Sequence, residues 1–505
     1  MPTEPLAAAD RAGPRAWIGL AVLALPLLVL ALDVSVLYLA APTLAADLQP
    51  SATQQLWILD IYGFLIAGFL ITMGGLGDRI GRRRLLLAGA AAFALASVVA
   101  AFAPTAELLI AARALLGVAG ATLMPSTLGL ISTMFPDPGR RRFAVAVWMT
   151  TFSAGIALGP LIGGVVLDAF WWGAVFLLGV PPMLLLLAVG RWLLPEERGT
   201  GTGRPDMPSV GLSLATMLPL VLAVKDLAAY GPDLQVLIAA LVGMLAGVLF
   251  VRRQRRLPDP LLDIALFTRP AFTAAVAVLL IGLVAVNGLF FVLPQYLQLV
   301  EGTSALVAGV WMLPLAGVNV AGSLLTPALT RRFSVSAVVA ASAGTAALGA
   351  LLVGLTGTGS GPVALVALMC GTVLGLSPIG VLATDLVIGS VPTARAGSAA
   401  SISETAGELG VALGVAVTGS VLTAVYTGRL VVPPGVPAVA AARSGESLAG
   451  AVTAAGELPG DLAGALLSSA REAFGAGLSA VGLLGAGLLL GAVALALTAL
   501  RRTGA

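Results

Sequence analysis

The stretch GGLGDRIGRRRLLL, residues 74–87, joins two strongly apolar runs and crowds glycines, one carboxylate and four arginines into a few helical turns. Gly74, Gly77 and Gly81 permit a tight turn. Arg79, Arg82 and the two arginines after them place that turn on the cytoplasmic side of a membrane, because short basic loops stay inside. Outward from this loop the composition agrees: 59% of the chain is hydrophobic and 10% charged, against roughly 25% charged in soluble domains. The apolar run 17–39 would make a helix of about 34 Å, enough to cross a hydrocarbon core of about 30 Å. It exceeds the apolar part of a secretory signal, about 7–15 residues, and is read as retained.

Apolar runs broken by charges, prolines and glycines give about fourteen spans: 17–40, 55–74, 85–103, 108–131, 143–168, 171–194, 209–225, 234–251, 271–294, 304–328, 335–356, 361–386, 397–426 and 473–500. Counting loops in alternation puts 22 of the 27 basic residues on one side. Arg113 then lies within a span, and Lys225, Arg429, Arg443 and Arg471 lie on the far side. Both termini are therefore expected in the cytoplasm. The organisation expected is a cytoplasmic tail 1–16, a six-helix half 17–194, a linker 195–256 with two extra spans, and a second six-helix half 257–500. A short cytoplasmic tail, 501–505, follows. The far-side stretch 427–472 reads as a loop with short surface helices. Leu76, Arg79 and Ile80 recur in spacing as Leu329, Arg332 and Phe333, an echo that suggests two related halves.

The chain has no histidine, and Cys370 is its one cysteine. No intramolecular disulfide and no thiolate metal site can form, and any proton chemistry falls to carboxylates. No nucleophile–base constellation is visible, so an enzyme is not expected. Neither a cofactor, a metal nor a nucleic-acid partner is expected.

Charges inside spans cost a few kcal/mol on insertion scales and need partners. Asp33, Asp60 and Arg113 lie at similar depth near the far side. Asp33 and Arg113 could form a purely structural ion pair, or Asp33 and Asp60 could alternately hold a proton, a cationic substrate or Arg113. Glu404 and Glu408, four residues apart, project from one helix face roughly 5–6 Å from each other. Two carboxylates that close do not both ionise easily, so the pair is expected to exchange a proton, the alternative being two permanently protonated acids. With Arg113 as the single intramembrane base, a central cavity would be net negative and favour cations.

The order GxLGDRxGRR around Asp78 resembles the loop between the second and third spans of the major facilitator superfamily. That resemblance implies a gating segment of Gly74, Gly77, Asp78, Arg79, Gly81 and Arg82, in which Asp78 and Arg79 latch the two halves. Gly155, Gly159, Pro160, Gly163 and Gly164 at the spacing GxxxGPxxGG allow close helix packing and also resemble the antiporter motif of the superfamily's drug exporters. RALLGVAGATLMP at Arg113 resembles its fourth-span motif, with Leu116 where many members carry glutamine. LDVSVLYLAAP, SATQQLWILDIY and ISETAGELGVALG complete a similarity to the fourteen-span drug:proton antiporters of the quaternary-ammonium and cationic multidrug type.

The resemblance implies an all-α integral membrane protein of the major facilitator fold, two six-helix halves plus a central pair of extra spans. It further implies a monomer in a bacterial cytoplasmic membrane that exports dyes, biguanides and quaternary ammonium compounds, driven by the proton gradient. Tyr38, Trp57, Tyr62, Trp148 and Phe152 are candidate contacts for a flat cation, the alternative being interface anchors. Some members carry a further acid in the tenth span, where the nearest polar candidate here is Asn319, which argues against efficient export of divalent cargo. Two other readings remain: a dedicated exporter of a self-made antibiotic, and, from a different class, a membrane channel or sensor.

Overall fold

The computed structural model describes residues 14–196, 206–257, 260, 262, 264–389 and 396–500. Most of the expected N-terminal tail and the C-terminal tail lie outside the described residues, as do the side chains of Asp78 and Glu404. Among the described residues the secondary structure is helical, without strands. A chain immersed in hydrocarbon has to satisfy its backbone groups within each helix.

The first bundle comprises α1 (Pro14–Leu48), α2 (Ala52–Ile80), α3 (Arg82–Ala101), α4 (Ala106–Met134) and α5 (Pro138–Ala169), with a sixth span divided into α6 (Ala174–Leu177) and α7 (Val180–Leu193). A hairpin of α8 (Met207–Tyr230) and α9 (Leu234–Gln254) follows. The second bundle holds α10 (Pro270–Gln295), α11 (Ala305–Thr330), α12 (Val335–Thr356), α13 (Gly361–Gly389) and α14 (Ala396–Arg429). Two short helices, α15 (Ala438–Glu446) and α16 (Leu448–Ala455), lead into the last, α17 (Gly460–Leu495).

Thirteen described helical stretches are long and apolar enough to cross a membrane. The bent α5, with arms Phe143–Ile156 and Leu158–Ala169 at 43°, brings the number to fourteen when its arms form one span. Pro160 explains the bend, since it cannot donate to the carbonyl of Ile156 and its ring crowds that carbonyl. The two bundles repeat one neighbour pattern. In the first, α1 packs on α5, α2 on α4, and α3 on α4 and α7; in the second, α10 packs on α14, α11 on α13, and α12 on α13 and α17.

Several helices run past the expected apolar stretches, α1 to Leu48 and α2 to Ile80 among them, and two of the differences bear on the site or the far-side segment. Helix α17 begins at Gly460, well before residue 473, because its first turns carry Asp461, Arg471 and Glu472 and stand beyond the apolar stretch. The segment before it is also more than a surface loop. Leu448, Ala451 and Ala454 are buried, and the Tyr426 hydroxyl donates to the carbonyl of Ser444 at 2.8 Å. Helix α8 continues past residue 225 to Tyr230, which moves Lys225 from the far side into the helix body.

The stretch 74–87 is two helices meeting at one residue. Gly81 ends α2 and begins α3 with φ 104° and ψ 126°, a conformation open to glycine. A Cβ there would sit 2.1 Å from Glu196 Oε1. Glu196 in turn pairs with Arg83 at 3.1 Å and Arg84 at 3.6 Å, while Arg83 also donates to the carbonyls of Arg191 and Leu194. The arginine-rich turn is thereby tied to the end of α7 in its own bundle. Gly81→Ala is expected to destabilise the protein by about 1–3 kcal/mol through backbone strain, read as a lower unfolding temperature in detergent; an unchanged unfolding temperature would show that the turn adapts.

Candidate functional site

Arg113 is among the largest fully buried side chains, 1% exposed. Helix α4 can bring it against α2 because Gly117 leaves no side chain in the way: a Cβ there would meet the Tyr62 carbonyl at 2.6 Å and Leu65 Cβ at 2.9 Å. The guanidinium then finds several partners, with the Phe176 ring centre also 5.9 Å away. Its Nη1 contacts Asp33 Oδ2 on α1, its Nε donates to the carbonyl of Ile58 at 3.1 Å, and its Cζ lies 4.4 Å from the centre of the Tyr62 ring. Leu116 is packed in the core, so these groups supply the polar surroundings of Arg113.

Asp60 is 1% exposed and faces a cation that sequence reasoning had placed elsewhere. Lys225 Nζ on α8 stands 2.9 Å from Asp60 Oδ2, with Lys225 fully buried. The angles fall short of a good hydrogen bond, and neither Asp60 oxygen has another hydrogen-bond partner among the described residues. The contact is an ion pair held by charge. Lys225 Nζ also lies 4.2 Å from the centre of the Trp57 ring, a cation–π distance. The next residue, Asp226, accepts from Thr53 Oγ1 and Gln235 Nε2, both at 3.3 Å. Among the described residues the intramembrane bases are therefore two, Arg113 and Lys225, where the sequence reading had one. The signal was present in LVLAVKDLAAY, where the chain's one lysine interrupts an apolar run, but ending the span at residue 225 assigned it to solvent.

The extra helix that carries Lys225 is wedged against both bundles. Phe64 of α2, Val221 of α8, and Ala412 and Ala416 of α14 form one apolar cluster, with Met217, Leu218, Leu409 and Leu413 around it. Helix α9 lies on the outside of α8, where Gly243 and Gly247 admit Leu220 and Thr216. At the other end of this hairpin Arg253 pairs with Asp206 at 2.6 Å. Burial raises the Asp206 carboxyl, but hydrogen bonds from Arg253 and Ser209 outweigh it and hold the group below the usual carboxylate range.

A small cavity lies where α1, α2, α4 and α14 meet. Asp60, Arg113, Glu408, Tyr38 and Tyr62 line it, and its room of about 20 Å³ suffices for about one water. Asp33 does not line it. It stands beyond Arg113, facing a separate cleft with Phe93, Val175 and Phe176. The remaining candidates are elsewhere: Trp148 donates to Thr127 Oγ1 at 3.0 Å, Phe152 packs against the main core, and Asn319 Oδ1 accepts from Ser377 at 2.8 Å.

Hydrogen bonds between the bundles occur at the face opposite the arginine-rich turn. Asp168 accepts from Ser304 Oγ and the amide of Leu306, and Gln298 donates to the carbonyl of Leu39. The glycine series of α5 packs mainly within the first bundle and reaches this seam at its end. Gly155, Gly159 and Gly163 admit Ala31, Ser35 and Val36 of α1. Gly164 admits the backbone of Leu306, and Gly309 of α11 lies against the carbonyl of Pro160. The motif thus joins α1, α5 and α11 by close backbone approach, and the molecule is closed on that face.

Residues 23–415 match the Major Facilitator Superfamily. The multidrug efflux pump LfrA of Mycolicibacterium smegmatis is 44% identical over 97% of this chain and 98% of its own. The methyl viologen resistance protein SmvA of Salmonella typhimurium is 34% identical over 91% and 93%, and the tetracenomycin C resistance and export protein of Streptomyces glaucescens 33% over 95% and 90%. Among solved structures, a bacterial homologue of the lysosomal transporter Spinster aligns over 96% of this chain and 98% of its own, with a TM-score of 0.64 at 17% identity.

A side chain at Gly309 would place its Cβ 2.2 Å from the Pro160 carbonyl oxygen. Gly309→Val is therefore expected to pry the closed face apart. In a Cys370→Ser background with cysteine at Leu39, alkylation by a membrane-impermeant reagent added at that face should rise; unchanged labelling would show that the seam does not hold the face shut.

Proposed function

The chain belongs to the Major Facilitator Superfamily, and we propose that it exports lipophilic cationic drugs in exchange for protons. It is a multi-pass membrane transporter; multidrug efflux is the activity named for the relative at 44% identity, resistance for the one at 34%, and resistance and export for the one at 33%. The finer reading rests on one observation: Asp60 and Glu408, from different bundles, line the same small cavity beside Tyr38, Tyr62 and Arg113. Carboxylates at the joint of two moving bodies can hold either a proton or a cation, and aromatic faces suit a flat cationic head. Methyl viologen, in the name of one relative, is a quaternary-nitrogen dication; it supports cationic cargo as a class, while Asn319 in place of an acid still favours monovalent over divalent members of that class here.

The arginine bias orients the arginine-rich turn to the cytoplasm, so the closed face is the outer one. In this state cargo enters from inside. Opening outward brings protons to the acids, weakens their hold on the cation and releases it; proton loss to the cytoplasm restores the site. The proton gradient supplies the energy without a cofactor, and the protein works as a monomer in a bacterial inner membrane with both termini inside. Asp33 acts through Arg113, by holding or freeing its guanidinium, while Glu404, four residues before Glu408 in the sequence, takes part in the same proton exchange. Asp78 and Arg79 serve the gating turn.

A second reading, export of one self-made antibiotic, is favoured by the tetracenomycin C exporter among the relatives. A substrate panel separates the two, since resistance confined to one compound supports the dedicated exporter. For the cation reading, uncoupler-sensitive ethidium efflux from cells is expected, with Asp33→Asn and Glu404→Gln each reducing it to the level of cells lacking the protein. Full efflux in either variant would remove that residue from the mechanism.

A further inference from the structure

Lys225 is the chain's one lysine, and it comes from a helix that belongs to neither bundle. Its head group contacts the Asp60 carboxylate at 2.9 Å and lies 4.2 Å from the Trp57 ring centre. A carboxylate beside an aromatic face is the combination that recognises a lipophilic cation. Asp60 also borders the cavity that holds Glu408 and Arg113. The protein thus carries its own cation in the place where a cationic ligand would bind.

The surroundings of Lys225 suit an exchange of cations. Helix α8 is anchored independently of the lysine head, by Val221 packed among Phe64, Ala412 and Ala416 and by Asp226 held by Thr53 and Gln235. The four-carbon stem of lysine lets the ammonium swing without moving the helix. Neither Asp60 oxygen is committed to another hydrogen bond among the described residues, so its charge is available to whichever cation is nearest.

We propose that Lys225 is a tethered surrogate cargo: it occupies the Asp60–Trp57 site in the outwardly closed protein, and a cationic drug binds there by displacing it. This makes the α8–α9 hairpin a specificity-determining part of the transport unit. A resident cation acts at high effective concentration, so only cargo that offers more than a bare charge, through stacking on Trp57 or apolar contact with the cavity, competes with it. Small inorganic cations are thereby rejected. The proposal rests on the cationic-cargo reading.

The test uses purified full-length protein and tetraphenylphosphonium as probe. With isotope-labelled lysine the wild type yields one lysine side-chain resonance, which is expected to move as the probe saturates. Lys225→Met is expected to bind the probe about tenfold more tightly, Lys225→Arg to stay near the wild type, and Lys225→Met with Asp60→Asn to lose the gain. Saturation with a stationary lysine resonance would overturn the proposal, as would a folded Lys225→Met with unchanged or weaker affinity. If wild type and Lys225→Met alike bind no lipophilic cation while folded, the cargo reading itself falls, and the surrogate role with it. Because the resonance is read on the wild type, poor folding of a variant does not block the test.

Discussion

A carboxylate inside a membrane protein persists as an anion when a cation is held against it, and in this chain two such cations come from other helices. Arg113 of α4 reaches Asp33 of α1 within the first bundle. Lys225 of α8 reaches Asp60 of α2 from outside both bundles. Removing one partner of a buried pair costs about 3–5 kcal/mol, because the other is left uncompensated. These contacts fix how α1, α2, α4 and α8 stand relative to one another. They also set what can change during transport: a pair can part when a proton or another cation takes over one of its charges.

Small residues let these charges meet and let the bundles close. Gly117 brings the Arg113 helix against the backbone of Tyr62, while Gly164 and Gly309 bring α5 and α11 into backbone contact at the closed face. The bend of α5 at Pro160 turns its two arms by 43°. Gly81 serves the opposite face by joining α2 and α3 through a single residue with positive φ. Rigid bundles that touch through small residues can rock as bodies, which is how alternating access proceeds in folds built of repeats.

The spans, the relation between halves and the Asp33, Arg113 and Asp60 positions were legible in the sequence because hydrophobic length and isolated charge are local signals. The partner of Asp60 was not. Lys225 follows an apolar run and precedes an aspartate, so a rule that ends a span at charge assigns the pair to solvent, whereas α8, packed through Val221 against Phe64 and Ala412, carries the lysine into a buried position. The same rule hid the start of α17, whose early polar turns stand above the apolar stretch. Nor does sequence depth reveal that Asp33 lies behind Arg113 rather than on the cavity; that depends on which way α1 is rotated, and a span apolar all round carries little record of its rotation.

The central claim is that the buried acids exchange a proton for a cation. It is tested most directly by adding tetraphenylphosphonium to purified protein in weakly buffered detergent solution near neutral pH with an indicator dye. The account predicts that protons are released as the cation binds, and that the release saturates with binding. Saturable binding with no change in proton concentration would contradict it.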